Sequence, residues 1–256
     1  MSEAQLHFDD IDDFTFGSAF LRDHAGSLIS EPNIAIVELI ANAYDAGATR
    51  VIVKWPEHRN EQFEISDNGT GMTADEFNRR WGALCYDRLQ EQGSVVEFPP
   101  GVSKRQRIAF GMNGKGRHSA FCFTNSYRVE TWKKGNKTEA VIELTNGGAQ
   151  PFRCQITKEV SFSGHGTSIS GVVERNLSSE ENIREWIGSK FIVDPSFKIV
   201  LNGRELQLTD LSSLQTHELD FPPHGALAGE VGRLVDWDLS DCRGGEFVHD
   251  SPAVQI

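Results

Sequence analysis

Cysteine is scarce in this sequence and never closely paired. Cys85, Cys122, Cys154 and Cys242 stand far apart, with no CxxC spacing. That spacing suits free thiols in a reducing cytosol better than a disulfide framework or a zinc site. Long apolar runs are missing too. None approaches the roughly 18 residues a membrane span needs. The opening MSEAQLHFDDIDDF is acidic where a secretory leader would be basic and then apolar. The expectation is a cytoplasmic chain with no membrane partner. Positive charge is the third deficit: 25 Lys and Arg against 37 Asp and Glu give a net charge of −12. Such a surface repels nucleic acid and anionic lipid unless basic residues gather locally. Nucleic acid is therefore not indicated for this domain itself. Repeats and low-complexity tracts are also lacking.

What is present is core-forming material. Of the 256 residues, 38% are hydrophobic, with 16 Phe and 5 Trp, enough for one large domain. Residues 14–29 read as a short helix and loop. SEPNIAIVELIANAYDAGA reads as a helix with Ser30 as N-cap, Pro32 in the first turn and Gly47 at its end. TRVIVKW and EQFEISD are strands, and TADEFNRRWGALCYDRL opens with the capping-box pair Thr73 and Glu76. Residues 91–117 are rich in Gly, Pro, Lys and Arg and carry no period, which marks a functional loop. GRHSAFCF opens another helix. Four strands follow, then the helix SSEENIREWIGSKF and a hairpin turning at Asn202-Gly203. The pattern predicts an α+β domain over 1–210, with a mostly antiparallel mixed sheet and helices on one face. Residues 211–256 read as the start of a second β-rich segment, a possible truncation of a longer architecture.

One helix is anomalous. In ELIANAYDAGAT, Glu38, Asn42 and Asp45 share one side at spacings of four and three. Their neighbours Ile34, Ala35, Ala41 and Ala46 are apolar, as are Ile36, Ile40 and Ala43 opposite. A helix apolar nearly all round is buried, and buried carboxylates need a polar or charged partner.

Three further stretches carry polar chemistry. ISDNGTGM ends a strand at Asp67 and turns through Gly69 and Gly71. Asp-Asn-Gly is a plain turn signal, yet a carboxylate there can also accept an exocyclic amine while the glycines admit a flat ring. GMNGKGRHSAF places Gly111, Gly114 and Gly116 ahead of a helix, with Lys115 inside the loop and Lys104, Arg105, Arg107 and Arg117 around it. Backbone N–H groups at a helix N-terminus suit an anion, and Lys115 suits phosphate. The loop is neither a Walker A sequence nor GxGxxG. GHGTSI carries Thr167 into a strand, an ordinary strand start by itself.

In this order and spacing, the four elements over about 15–205 resemble the GHKL ATPase family: gyrase B subunits, ninety-kilodalton heat-shock chaperones, histidine kinases, MutL proteins and MORC ATPases. ELIANAYDAGAT looks like the N box, DNGTGM the G1 box, GMNGKGRHSAF the G2 box and GTSI the G3 element. The resemblance implies a Bergerat-type two-layer α/β sandwich that binds ATP and Mg²⁺, with a lid over about 83–117. It implies Glu38 as general base, Asn42 as an Mg²⁺ ligand, and Asp67 as acceptor of the adenine amine with Thr167 in support. Gly71 and Met72 would wall the base, and Asp45, Ala46 and Gly69 would belong to the same ATP-binding pocket. Gly111, Met112, Asn113, Gly114, Lys115, Gly116 and Arg117 would form the lid's phosphate end.

Glu38 and the DAGAT tail look most like the MutL and chaperone members, because histidine kinases typically carry Asn at the position of Glu38. The reading is a hydrolytic ATPase, slow in this chain because a catalytic lysine commonly comes from a following domain. A non-hydrolysing ATP sensor is the alternative, and phosphotransfer ranks below both. ATP-dependent homodimerisation is implied by the resemblance alone. Trp81 and Tyr86 read as core packing, His165 as a lone turn histidine, and Glu180, Glu181, Arg184 and Glu185 as a solvated helix face.

Overall fold

The computed structural model describes residues 30–82, 88–102, 107–111, 116–145, 152–191, 194 and 196–207, and the strands at 214–220, 231–237 and 253–255. The expected helix and loop at 14–29 lie outside the described residues, as do Tyr86, Lys104, Arg105, Met112, Asn113, Gly114 and Lys115.

Alternating burial builds the sheet. Val51 and Val53 of β1 (Arg50–Lys54) and Phe63 and Ile65 of β2 (Gln62–Asp67) point into one core. The remaining strands are β3 (Ser126–Lys133), β4 (Asn136–Leu144), β5 (Phe152–Ser161), β6 (Gly166–Val172), β7 (Lys198–Leu201) and β8 (Arg204–Glu205). Together they make an eight-stranded mixed sheet in the order β5-β4-β3-β6-β2-β1-β7-β8. Only the β1–β7 pair is parallel; the other pairs are antiparallel. With its helices this is the expected α+β fold. The β7–β8 hairpin turns at Asn202 and Gly203 with φ of 48° and 83°, as a two-residue turn with both centres left-handed requires.

Register places the functional row. Asp67 at the end of β2 pairs with Thr167 of β6, and Thr167 pairs with Thr131 of β3. Residues directly opposite share a sheet face, so three polar side chains stand side by side across the middle of the sheet.

Helix α1 (Pro32–Asp45) buries Ala35, Ile36, Leu39, Ile40, Ala41 and Ala43, and no residue from Pro32 to Ala48 is exposed. Its N-cap is Glu31 rather than Ser30, with no side-chain bond to the helix. Pro32 supplies the start, since it has no N–H to satisfy. The helix ends at Gly47, φ 71°, and the Ala48 N–H closes back on the Ala43 carbonyl at 3.1 Å.

Helix α2 (Ala74–Trp81) begins with the expected capping box: Glu76 N–H donates to Thr73 Oγ1 and Thr73 N–H to Glu76 Oε2. It ends at Trp81, which stacks on Phe77 and donates to the Tyr127 hydroxyl at 3.2 Å. Trp81 is core. A short helix α3 (Arg88–Gln92) follows. The helix expected from GRHSAFCF is a 3₁₀ helix, Gly116–Cys122, buried at every residue. Helix α4 (Glu180–Phe191) packs on α1 and corrects one expectation. Arg184 is not solvated: it is 6% exposed and donates to Glu180 Oε1 and the Leu201 carbonyl. Its stem lies in the packed face while its head stays with the helix acid.

Downstream, β9 (Leu214–Asp220), β10 (Val231–Trp237) and β11 (Ala253–Gln255) form a separate three-stranded antiparallel sheet. Among the described residues, no helix is long and apolar enough to cross a membrane.

Candidate functional site

Glu38 and Asn42, one turn apart on α1, are half-buried. Burial, and secondarily the charge of Asp45, pushes the Glu38 carboxyl above its usual range. The amide Nδ2 of Asn42 is buried without a hydrogen-bond partner, which is unusual for a packed interior. Across from them the 3₁₀ helix begins at Gly116. A Cβ on this glycine would run into Glu38 Oε2 and stand 3.1 Å from Glu38 Cβ. The glycine loop and the N-box helix therefore close on one another at the Glu38 carboxylate. Arg117, next in line, is buried.

Asp45 does a job not visible from its spacing. Its Oδ1 accepts the Phe110 N–H at 2.7 Å and its Oδ2 accepts the Gly111 N–H at 2.9 Å. The carboxylate clips the segment at Phe110 and Gly111 to the end of α1. Arg107 pins the same segment from below. It donates to the Tyr44 and Ala48 carbonyls at 3.1 and 2.7 Å and to Ser196 Oγ, and it pairs with Asp194 at 3.3 Å. Its guanidinium lies 4.2 Å from the Tyr44 ring centroid. Arg107 is thus a buried anchor of this segment, although the sequence sets it in the run of cations around the glycine loop. Gly47 must stay small, because a Cβ there would meet the Glu97 carbonyl and the Phe98 Cα.

The second half of the site surrounds Asp67. Burial raises its carboxyl to about 7, opposed by the Gly69 and Thr167 backbone N–H groups and by His165. The turn after it is held at every step. Asn68 Oδ1 accepts the Thr49 and Arg50 N–H groups, both at 2.9 Å. Gly69 N–H donates to Asp67 Oδ1 at 2.7 Å, and Thr70 N–H to the Ala46 carbonyl at 2.7 Å. Met72 N–H donates to Thr131 Oγ1 at 2.8 Å, which lies 3.2 Å from Thr167 Oγ1. Gly71 has φ 62°, and a Cβ on it would strike the Trp132 and Gly166 carbonyls.

The structure thus brings Glu38, Asn42, Asp45, Gly111 and Gly116 together on one side, and Ala46, Asp67, Gly69, Gly71, Met72 and Thr167 on the other. The first group is carried by α1 and the loop against it, and the second by the ends of β2 and β6 with Ala46 just past α1. Thr131, His165 and Arg107 were missed as contributors. Only long-range register exposes Thr131, and a lone histidine in a glycine turn carries no sequence signal.

Comparison with known proteins converges on the same elements. Residues 29–167, more than half of the chain, match the family described as histidine kinase-, DNA gyrase B-, and HSP90-like ATPase. The DNA mismatch repair protein MutL of Chlorobium chlorochromatii is 38% identical over 141 residues, 54% of this chain and 20% of that protein. MutL of Brucella abortus is 37% identical over 161 residues, 59% of this chain and 26% of that protein. Mismatch repair endonuclease pms1 of Dictyostelium discoideum is 25% identical over 162 residues, 63% of this chain but only 15% of that protein. The chain thus spans a quarter or less, or little more, of these relatives' lengths. The ATPase and transducer domains of DNA topoisomerase II from Balamuthia mandrillaris share the fold, with a TM-score of 0.51 at 13% identity over 79% of this chain and 55% of that one. The boxes, the fold and the matched span agree: this chain belongs to the histidine kinase-, DNA gyrase B- and HSP90-like ATPase family.

Proposed function

We propose that this domain binds Mg-ATP between α1 and the glycine loop and hydrolyses it to ADP and phosphate. The observation that carries the reading is the pairing of Glu38 and Asn42 on α1 against Gly116, with a raised Glu38 carboxyl and an unpartnered Asn42 amide. A base poised nearer neutrality is what water activation needs. The Glu38 carboxylate takes the proton of a water that attacks the γ-phosphorus, and the phosphorus–oxygen bond to ADP breaks. Gly116 leaves room for the carboxylate itself, which a Cβ there would displace.

The donor set fits magnesium. Asn42 stands half-buried one turn from Glu38, and no hydrogen bond fixes its Nδ2, so its amide can turn the oxygen toward an ion, and one protein oxygen would suit Mg²⁺. Bound there, Mg²⁺ neutralises charge on the triphosphate. Asp67 accepts the 6-amino group of adenine, a charge-assisted bond of about 1.5–3 kcal/mol, and Thr167 supports it through water. Gly69, Gly71 and Met72 flank the base, with Ala46 at its edge. Backbone N–H groups from Gly111 to Gly116, with Lys115 and Arg117, take the phosphates. Lid closure on ATP and pairing of two copies follow the family pattern. We read the sheet after residue 211 as the start of a second unit.

The test is calorimetric titration of Mg-ATP into the wild type and Asp67→Asn, followed by phosphate release from wild type and Glu38→Gln. Binding that vanishes in Asp67→Asn, and release that vanishes in Glu38→Gln while binding persists, is the expected result. Binding without any release by the wild type would reduce the domain to a nucleotide sensor.

A further inference from the structure

We propose that His165 is a positioning residue for recognition of the nucleobase amine, holding the Asp67–Gly69 unit in the geometry that reads it. The inference rests on the assignment of Asp67 above. Its basis is a two-sided hold on a single residue. Gly69 N–H is bound by Asp67 Oδ1 at 2.7 Å, and the Gly69 carbonyl lies 2.8 Å from His165 Nδ1. A carbonyl only accepts, so Nδ1 carries the proton and donates. Gly69 has nowhere else to go: a Cβ on it would stand 2.7 Å from the Ala46 carbonyl and 2.9 Å from Asp67 Oδ1.

The histidine is itself delivered by the strand that supports Asp67. It sits two residues before Thr167, between Gly164 and Gly166, whose φ values are 100° and 145°. A Cβ on Gly166 would collide with the Asp67 carbonyl oxygen and approach the Trp132 ring. The turn therefore brings His165 across the end of β2, and its imidazole also favours the Asp67 carboxylate electrostatically. With the donor removed, the Gly69 peptide is held on one side only. The Gly69 N–H then shifts against the Asp67 oxygen it engages while the Thr167 N–H still holds the carboxylate, and the cost falls on whatever that carboxylate recognises.

A merely structural staple would lower stability and weaken every nucleotide alike. A positioning role acts on the amine alone. The discriminating measurement is the ratio of affinities for Mg-ATP and for purine riboside triphosphate, its analogue lacking the 6-amino group. It is determined by calorimetry for wild type, His165→Ala, His165→Phe and His165→Asn, with Asp67→Asn, expected to bind no ATP, as the control. We expect the wild type to prefer ATP, and His165→Ala and His165→Phe to lose about 5- to 20-fold for ATP but little for the analogue. KM for ATP then rises while kcat at saturation holds. Phe keeps the ring volume, so it reports where Ala does not fold. His165→Asn, whose amide nitrogen can stand where Nδ1 does, should restore most of the preference. If Asp67→Asn loses ATP binding while His165→Ala and His165→Phe keep the preference, the role of His165 is overturned and that of Asp67 stands. If the wild type shows no preference, or Asp67→Asn retains it, the Asp67 assignment fails and takes this one with it.

Discussion

No side chain fits at Gly116 while Glu38 keeps its place: a Cβ there would run into the Glu38 carboxylate. The obstructed atom is the far end of a flexible side chain, and the Gly116 backbone is not left-handed, so Gly116→Ala is not expected to unfold the protein. It should instead swing the carboxylate away. We predict a tenfold or greater loss in phosphate release with little change in melting temperature. Glu38→Gln should cut release by about 10²- to 10⁴-fold and leave ATP affinity within a few fold.

Asp67 sets function against stability. Its folded value of about 7 lies well above its ordinary 3.8. Below pH 4 the carboxyl is protonated whether folded or not, and it costs nothing. Between pH 4 and 7 the unfolded chain releases a proton that the fold retains, so stability falls as pH rises, and above 7 the penalty is complete. Asp67→Asn keeps an oxygen for the Gly69 N–H and removes the charge. We predict a gain of about 1–3 kcal/mol at pH 8 that shrinks toward pH 5, with ATP binding lost throughout. Urea melts of both proteins at the two pH values, without nucleotide, check it.

Asn42→Ala removes an amide whose buried Nδ2 has no protein partner. Losing an unpartnered buried group costs the fold little. The loss should appear as a weaker dependence of ATP affinity on magnesium, with adenosine binding unchanged. Titrations at several magnesium concentrations measure it.

Features with local causes could be read from the sequence. The Thr73–Glu76 box, the Asn202-Gly203 turn and the end of α1 at Gly47 each follow from a few adjacent residues. The three polar groups of α1 were conspicuous because apolar neighbours surround them. What could not be read depends on distant partners. Arg107 resembles any other lid cation until Tyr44, Ala48 and Asp194 are seen around it, and Arg184 resembles a surface residue until β7 lies against it. Thr131 and His165 become part of the site only through the registers of β3, β6 and β2.

Arg107 therefore yields a prediction opposite to the one its neighbours suggest. Arg107→Met strands the Tyr44 and Ala48 carbonyls and the Asp194 carboxylate. Breaking a buried, paired charge costs about 3–5 kcal/mol. Denaturant melts should show that loss. If the guanidinium instead held phosphate, ATP would weaken far more than adenosine at unchanged stability.

Asp45 offers two independent readouts from one substitution. Asp45→Asn keeps one acceptor oxygen and replaces the other with a donor that faces an N–H. One of the Phe110 and Gly111 amides then loses its partner. Hydrogen exchange at those two amides should accelerate, while the core amides of α1 around Leu39 and Ile40 keep their protection. The second readout is electrostatic. Asp45 raises the Glu38 carboxyl, so removing its charge lowers the pH at which Glu38 becomes the base. The acid limb of the phosphate-release profile should move to lower pH. Faster exchange with an unmoved acid limb would keep Asp45 as the clip on Phe110 and Gly111 and take Glu38 out of its electrostatic reach. A moved limb with unchanged exchange would mean that this segment is held by Arg107 alone.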